Sequence, residues 1–307
     1  MNKALHKYIV YVSLIFVTVA LYKANYLHIP QIISFPFLCS SIFLLCLGFI
    51  GSAISWFSIL KLSQVPAPFF SCLASIGLSI FGKYIPGKIW IIMGRATYIS
   101  ENYGYPIVKL ARLSLYTQLI ALWSGLTLGV IGIFYLNANH ILSWFALFLW
   151  TFLSLTLFSN MTQRAIKATL KVLFKKKIVL YSPNYQLIFK VLPWFFGYWI
   201  LWAFGFYLLA ISLINANIQL SLGLGFSLAG TFGIMTVIAP GGLGVREGFL
   251  VGYLLIAGLN GADATTLSVS SRLWFLLGEI FIFFIGLCCH QALKKKKLHS
   301  TKSSFLF

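Results

Sequence analysis

Apolar runs long enough to cross a bilayer recur along almost the whole chain, and this recurrence limits what the chain can fold into. Uninterrupted segments lie at about 8–24, 37–60, 113–136, 141–160, 191–214 and 266–289. A helix needs ~20 apolar residues to cross the hydrocarbon core, where every backbone amide and carbonyl must be bonded within its own segment. Transmembrane β-strands would instead alternate apolar and polar residues over segments of ~10 residues, and this sequence shows no such alternation. Only 9% of its residues are charged, against roughly 25% in soluble domains. The expected fold class is an all-α polytopic membrane protein with about six full transmembrane helices.

Two further apolar stretches, 67–100 and 222–258, are too long for one span. Each is cut near its middle, by Pro86-Gly87 in the first and by Pro240-Gly241-Gly242 in the second. Proline removes an amide donor and clashes with the preceding turn, so each stretch is expected to form two half-helices around a broken centre. The basic loop 161–190, the run Lys294 to Lys297, and Lys3 with Lys7 are all expected on the cytoplasmic side. Only an even number of crossings within 67–100 satisfies every cluster. The second half-helices, about 88–100 and 245–258, are ~20 Å long, short for a core of ~30 Å. Re-entrant hairpins fit best, and two short complete crossings would give the same loop topology.

With this topology, 37–60, 67–100 and 113–136 repeat as 191–214, 222–258 and 266–289 in the opposite orientation. This is an inverted repeat with a broken segment at the matching place in each half, the sequence pattern that points to a midplane binding site in secondary transporters. The expected organisation is one transmembrane domain over 1–293 and a basic cytoplasmic tail over 294–307. The repeat units cover about 37–136 and 191–289. Both termini are expected in the cytoplasm, with the protein in the inner cell membrane and the first span uncleaved, since no small-x-small site follows it.

The first break reads "GKYIPGKIW" and nearly spells a nucleotide-binding loop, with Gly82, Gly87 and Lys88 at G-x-x-x-x-G-K spacing. Ile89 stands where the Mg²⁺-binding hydroxyl is needed, Pro86 has no amide to give, and no strand precedes it. The formal charge of +19 does not indicate nucleic acid either. The basic residues sit in loops and tails between apolar runs rather than in a soluble basic domain, which suits topology and contacts to anionic lipid headgroups. The cysteines lie within or at the ends of apolar runs as packing residues, and the histidines share no ligand spacing. No metal or other cofactor is expected.

The second break reads "IAPGGLGVREGF". Its glycines allow a close backbone approach and expose amides. A helix starting near Leu243 would direct its amides and positive dipole end into the break, which favours an anion. Arg246 in the first turn could grip a phosphate with both prongs of its guanidinium. The bland alternative is a hairpin turn with Arg246 reaching to the surface. At the first break, Lys83 and Lys88 flank Pro86-Gly87, Tyr84 offers a hydroxyl, and Arg95 lies two turns after Lys88 on roughly the same face. Lysines marking a cytoplasmic hairpin mouth are the alternative there.

The acids number four: Glu101, Glu247, Asp263 and Glu279. Glu101 and Asp263 read as loop residues. Glu247 follows Arg246 directly and should pair elsewhere, because neighbours on a helix face about 100° apart. Glu279 lies inside the last span on the same face as Arg272, with Arg246, Arg272 or a lysine as its expected partner. Trp194, Tyr198, Trp199, Trp202 and Tyr207 could line a lipid path, although packing is the commoner role of such residues.

Taken together, "KYIPGKIW" and "PGGLGVREG" in an apolar chain of this length resemble the transmembrane region of the lysylphosphatidylglycerol synthase/flippase family, over roughly 35–290. The resemblance implies a flippase with re-entrant helices that passes an aminoacylated phospholipid from inner to outer leaflet. It carries over Lys83, Tyr84, Pro86, Gly87 and Lys88 at the first motif, and Pro240, Gly241, Gly242, Gly244, Arg246 and Glu247 at the second. Family members can be fused to a synthase domain that charges the lipid. This sequence has no room for one after its KKKK run, so lysylation by this chain alone is not expected. Stand-alone members are linked to several lipid pathways, including glycan assembly and hopanoid synthesis, which leaves the lipid open.

The leading expectation is a lipid transporter or flippase that moves an anionic or aminoacylated phospholipid, or a lipid-linked intermediate, between leaflets. The substrate-binding set comprises Lys83, Tyr84, Pro86, Gly87, Lys88, Arg95, Pro240, Gly241, Gly242, Gly244, Arg246, Glu247, Arg272 and Glu279. An integral-membrane transferase is the second hypothesis, but it would need a general base or metal, and the chain has no D-x-D and no histidine cluster. A small-anion transporter or an accessory subunit is the third. The expected partners are membrane lipids, a second copy in a homodimer, and a separate lipid-modifying enzyme or glycosyltransferase.

Overall fold

Each described apolar run forms a helix, and the Pro240-Gly241-Gly242 stretch separates two of them. The computed structural model describes residues 31–85, 89–136, 141–158, 185–215, 218–236 and 240–304. Among these residues the helices are α1 (Phe35–Leu62), α2 (Phe69–Ser79), α3 (Ile89–Tyr103), α4 (Ile107–Tyr135) and α5 (Ile141–Phe158). They continue as α6 (Tyr185–Leu213), α7 (Leu222–Met235), α8 (Val245–Ile256) and α9 (Gly261–Ser304). A short 3₁₀ turn, Ile80–Tyr84, precedes the first break, and another, Pro240–Gly242, lies in the second.

Of these helices, α1, α4, α5, α6 and α9 are long and apolar enough to cross a membrane, and they match five of the six expected spans. The sixth, 8–24, lies outside the described residues, as does most of the basic loop 161–190. Their outer faces are apolar, with Phe43, Phe134, Trp144 and Phe148 all exposed, as required of surfaces solvated by lipid tails. The last helix runs without interruption through Lys294 to Lys297. Its 44 residues extend roughly 66 Å at 1.5 Å per residue, more than the whole bilayer. Glu101 and Asp263, expected in loops, belong to helix ends. Glu101 lies in the last turn of α3, and Asp263 in the first turn of α9, where its amide donates to Asn260 Oδ1 at 2.8 Å.

Small residues set the packing, as expected where lipid removes the hydrophobic drive between helices. The α1 and α6 helices lie side by side. Gly48 and Gly51 of α1 receive the Trp202 and Tyr198 side chains of α6, and Ser41 Oγ donates to the Gly205 carbonyl at 2.6 Å. Gly125, Gly129 and Gly132 open one face of α4 to α7 and α8, meeting Thr231, Leu228 and Tyr253. The α2 and α9 helices cross backbone to backbone at Gly77 and Gly286, where a Cβ on Gly286 would lie 2.9 Å from Gly77 Cα. No flexible side-chain end is there to yield. Gly286→Leu is therefore expected to cost about 3 kcal/mol or more, at or above the upper end for overpacking, read as a lower unfolding midpoint in detergent.

The packing has a regular order. If α1 is exchanged with α6, α2 with α7, α3 with α8 and α4 with α9, contacts map onto contacts. The α2–α9 contact becomes α7–α4, α3–α4 becomes α8–α9, α1–α9 becomes α6–α4, and α1–α2 becomes α6–α7. In each half the two arms of the broken segment also pack on one another, and the two 3₁₀ turns touch. α5 packs on α4 outside this scheme.

Candidate functional site

The second break takes its shape from its glycines. Gly241, Gly242 and Gly244 have φ of 60°, 73° and 80°, a left-handed conformation that other L-residues adopt only at a cost. Gly242 rests on the backbone of Gly233 in α7, and Gly241 on the Tyr84 ring. The following helix begins at Val245, the start expected for the second half-helix. One amide at its amino end is already answered from within the chain. Glu247 reaches back, and its Oε2 accepts the Gly244 amide at 2.7 Å. An acid in the third position of a helix satisfies an orphan amide and the dipole together, so this end is capped by its own side chain.

The first break supplies Lys83 and Tyr84 from its 3₁₀ turn. Lys83 Nζ pairs with Glu279 Oε1, and the Tyr84 hydroxyl donates to Glu279 Oε2 at 2.8 Å. Pro86, Gly87 and Lys88, expected in this site, lie outside the described residues. Arg272 stands seven residues before Glu279 on one face of α9 and holds the other break. Its Nη1 donates to the Gly241 carbonyl at 2.9 Å and lies 3.8 Å from Glu247 Oε1. Its guanidinium sits 5.4 Å from the Tyr84 ring centroid. One helix face thus clasps both breaks where they meet. Glu279 is only 1% exposed and Arg272 3%, and Glu279 takes its partner from the lysines among the candidates considered.

Beside this clasp lies a cavity of about 430 Å³ lined by Lys83, Arg95, Gly241 and Arg246, with apolar and aromatic walls. Arg246 is 5% exposed, which rules out its reaching to the surface. Its guanidinium lies 4.7 Å from the Phe226 ring centroid and 4.9 Å from that of Phe275, and Nη2 approaches the Ser271 carbonyl at 3.4 Å. Among the described residues, Arg246 Nε and Arg95 Nε are buried without a hydrogen-bond partner. No carboxylate lines the cavity. Tyr198, Trp199 and Trp202 are buried and contribute to its wall, so they serve packing and lining together, whereas Trp194 faces outward.

The geometry joins sequences far apart in the chain, and so does the comparison with known families. The family model for the lysylphosphatidylglycerol synthase TM region matches residues 7–286. The chain belongs to this family. No curated protein and no solved structure matches it. As a lysylphosphatidylglycerol synthase TM-region protein it is a multi-pass membrane protein linked to lipid metabolism or transport.

Several wall residues were not anticipated. Phe226 and Phe275, which lie together beside the Arg246 guanidinium, look like any other aromatic in an apolar run, and no spacing marks them. Ser52, Ser55, Thr117 and Gln118 also line the cavity. They are polar residues inside apolar runs, and that was a usable signal. Gly233 gives room to the Arg246 stem, since a Cβ there would lie 2.9 Å from Arg246 Cβ.

Proposed function

We propose that this protein is a lipid transporter that moves an anionic or aminoacylated phospholipid, or a lipid-linked intermediate, between leaflets. The observation that carries this reading is the cavity beside the two breaks: Lys83, Arg95 and Arg246 line it, no carboxylate does, and its walls are otherwise mostly apolar. Buried cations are costly in a membrane unless an anion answers them. A volume of about 430 Å³ falls in the range of small-molecule sites, ~300–1,000 Å³, enough for a headgroup whose tails remain in the bilayer.

The exchange symmetry of the helix contacts supports an inverted repeat, with the broken segments entering as re-entrant hairpins from opposite sides. Rocking of one half against the other would carry the headgroup across. In this scheme both termini face the cytoplasm at the inner membrane, the chain performs no chemistry of its own, and a separate enzyme supplies the lipid. Proteoliposomes carrying fluorescent phosphatidylglycerol and phosphatidic acid test it. The wild-type protein should accelerate exchange between leaflets, and Lys83→Met with Arg246→Gln should reduce that rate at least tenfold while the protein stays folded. Unchanged movement in the double variant would sink the mechanism.

A further inference from the structure

Charge balance around the cavity narrows the headgroup. Resting on the transporter reading, we propose that the site takes a lipid ending in a phosphate group with two or more negative charges, a phosphomonoester or a diphosphate, and rejects an aminoacylated headgroup. Among the described residues, Lys83, Arg95, Arg246 and Arg272 lie in the cavity wall or buried beside it, against Glu247 and Glu279. Each carboxylate already has a partner, although Glu247 Oε1 accepts no hydrogen bond among the described residues. Glu279 accepts from Lys83 and Tyr84, and Glu247 accepts from the Gly244 amide and faces Arg272. Neither belongs to the cavity wall.

Among the described residues, neither Arg95 nor Arg246 forms an ion pair, although Glu247 and Glu279 lie near enough to Arg246 to act on its charge, and each guanidinium has a buried Nε with no hydrogen-bond partner. They come from α3 and α8, the corresponding second arms of the two broken segments, so each half contributes one guanidinium to the same cavity. A guanidinium fork matches two phosphate oxygens, and two forks match a group with at least three oxygens and two charges. The Phe226 and Phe275 rings pack beside the Arg246 guanidinium, so it is held in place before an anion arrives, which reduces the ordering cost of binding. A phosphodiester carries one charge and would leave one guanidinium unanswered. An aminoacylated phosphatidylglycerol adds an ammonium, and the wall offers it no carboxylate.

Trp199 and Trp202 line the cavity, so intrinsic fluorescence of the purified full chain in detergent can report occupancy. The titrants at pH 8 are phosphatidic acid, farnesyl diphosphate, phosphatidylglycerol, lysylphosphatidylglycerol and inorganic pyrophosphate. Phosphatidic acid and farnesyl diphosphate should bind at least tenfold more tightly than phosphatidylglycerol, and lysylphosphatidylglycerol most weakly. Charge-assisted hydrogen bonds are worth about 1.5–3 kcal/mol each, or roughly tenfold to 100-fold in affinity. Arg95→Gln and Arg246→Gln should each erase most of the preference, while Arg246→Lys keeps part of it. Lipid-free melting temperatures near that of the wild type show that the variants are folded.

Tighter binding of either phosphodiester lipid, or a preference that survives both glutamine variants, overturns the inference. Pyrophosphate binding as tightly as farnesyl diphosphate overturns the lipid assignment. If phosphatidylglycerol or lysylphosphatidylglycerol binds best and crosses bilayers in an Arg246-dependent way, the headgroup inference falls and the transporter stands. If no lipid binds or moves, both fall.

Discussion

Glu279→Leu is expected to destabilise the protein by about 3–5 kcal/mol, the loss that follows removal of one partner from a buried ion pair. The charge of the interior sets the sign and the size. Among the described residues, Glu279 is one of two carboxylates set against four cations in and beside the cavity, so its loss increases an existing positive excess. The substitution also leaves Lys83 without its counter-ion and the Tyr84 hydroxyl, 1% exposed at the residue level, without its acceptor. Lys83→Met acts on the same pair from the other side and lowers that excess. Glu279 would keep the Tyr84 hydrogen bond and remain near Arg246 and Arg272, so about 1.5–3 kcal/mol is expected for the lost charge-assisted bond. In the double variant Lys83→Met/Glu279→Leu most of the Glu279→Leu loss should return. Unfolding midpoints of the four proteins in detergent close the cycle. Equal losses for the two single variants would mean that the pair works as an isolated contact and that the surrounding charge is screened.

The same asymmetry shows why part of the site was legible in the sequence and part was not. Ionisable residues in apolar runs are rare and expensive, so Lys83, Arg95, Arg246, Glu247, Arg272 and Glu279 were each conspicuous. The seven-residue spacing of Arg272 and Glu279 placed them on one face of α9, but only the tertiary packing assigns one to each break. The breaks were equally visible, because proline and glycine leave few conformational options. Glu247 was not predictable in the same way. The dipole argument assigned the amino end of α8 to an outside anion, whereas the chain's own acid lay near enough to cap it. Local satisfaction competed with ligand binding at that end, and the sequence does not reveal which of them wins. The Phe226 and Phe275 rings were hidden because aromatic residues are common throughout this chain. The approach of α3 and α8 to one cavity depends on long-range packing at small residues such as Gly77, Gly129 and Gly286, whose partners no local pattern names.

Gly242→Ala should be among the most damaging single-methyl changes in the chain, and a comparison within the Gly-Gly-Leu-Gly run shows why. All three of its glycines have positive φ, which costs an L-residue about 1–2 kcal/mol. At Gly244 that is the whole penalty, because an added Cβ would meet open space. At Gly241 the Cβ would press on the Tyr84 ring and the Arg272 guanidinium; both are side chains that can shift, but only by loosening the clasp on the two breaks. At Gly242 the obstacle is the Gly233 backbone, with its carbonyl oxygen 2.6 Å and its Cα 2.7 Å from the added carbon. Overpacking of about 1–3 kcal/mol therefore adds to the strain, for a total of about 2–5 kcal/mol. Since Gly233 lines the cavity and accommodates Arg246, pushing α7 away should also lower leaflet exchange in proteoliposomes. The expected order of loss is Gly244→Ala, then Gly241→Ala, then Gly242→Ala, in both unfolding midpoint and transport rate. Equal losses at 242 and 244 would mean that the glycines serve backbone conformation alone. The contact between the second break and α7 would then not be what shapes the cavity wall.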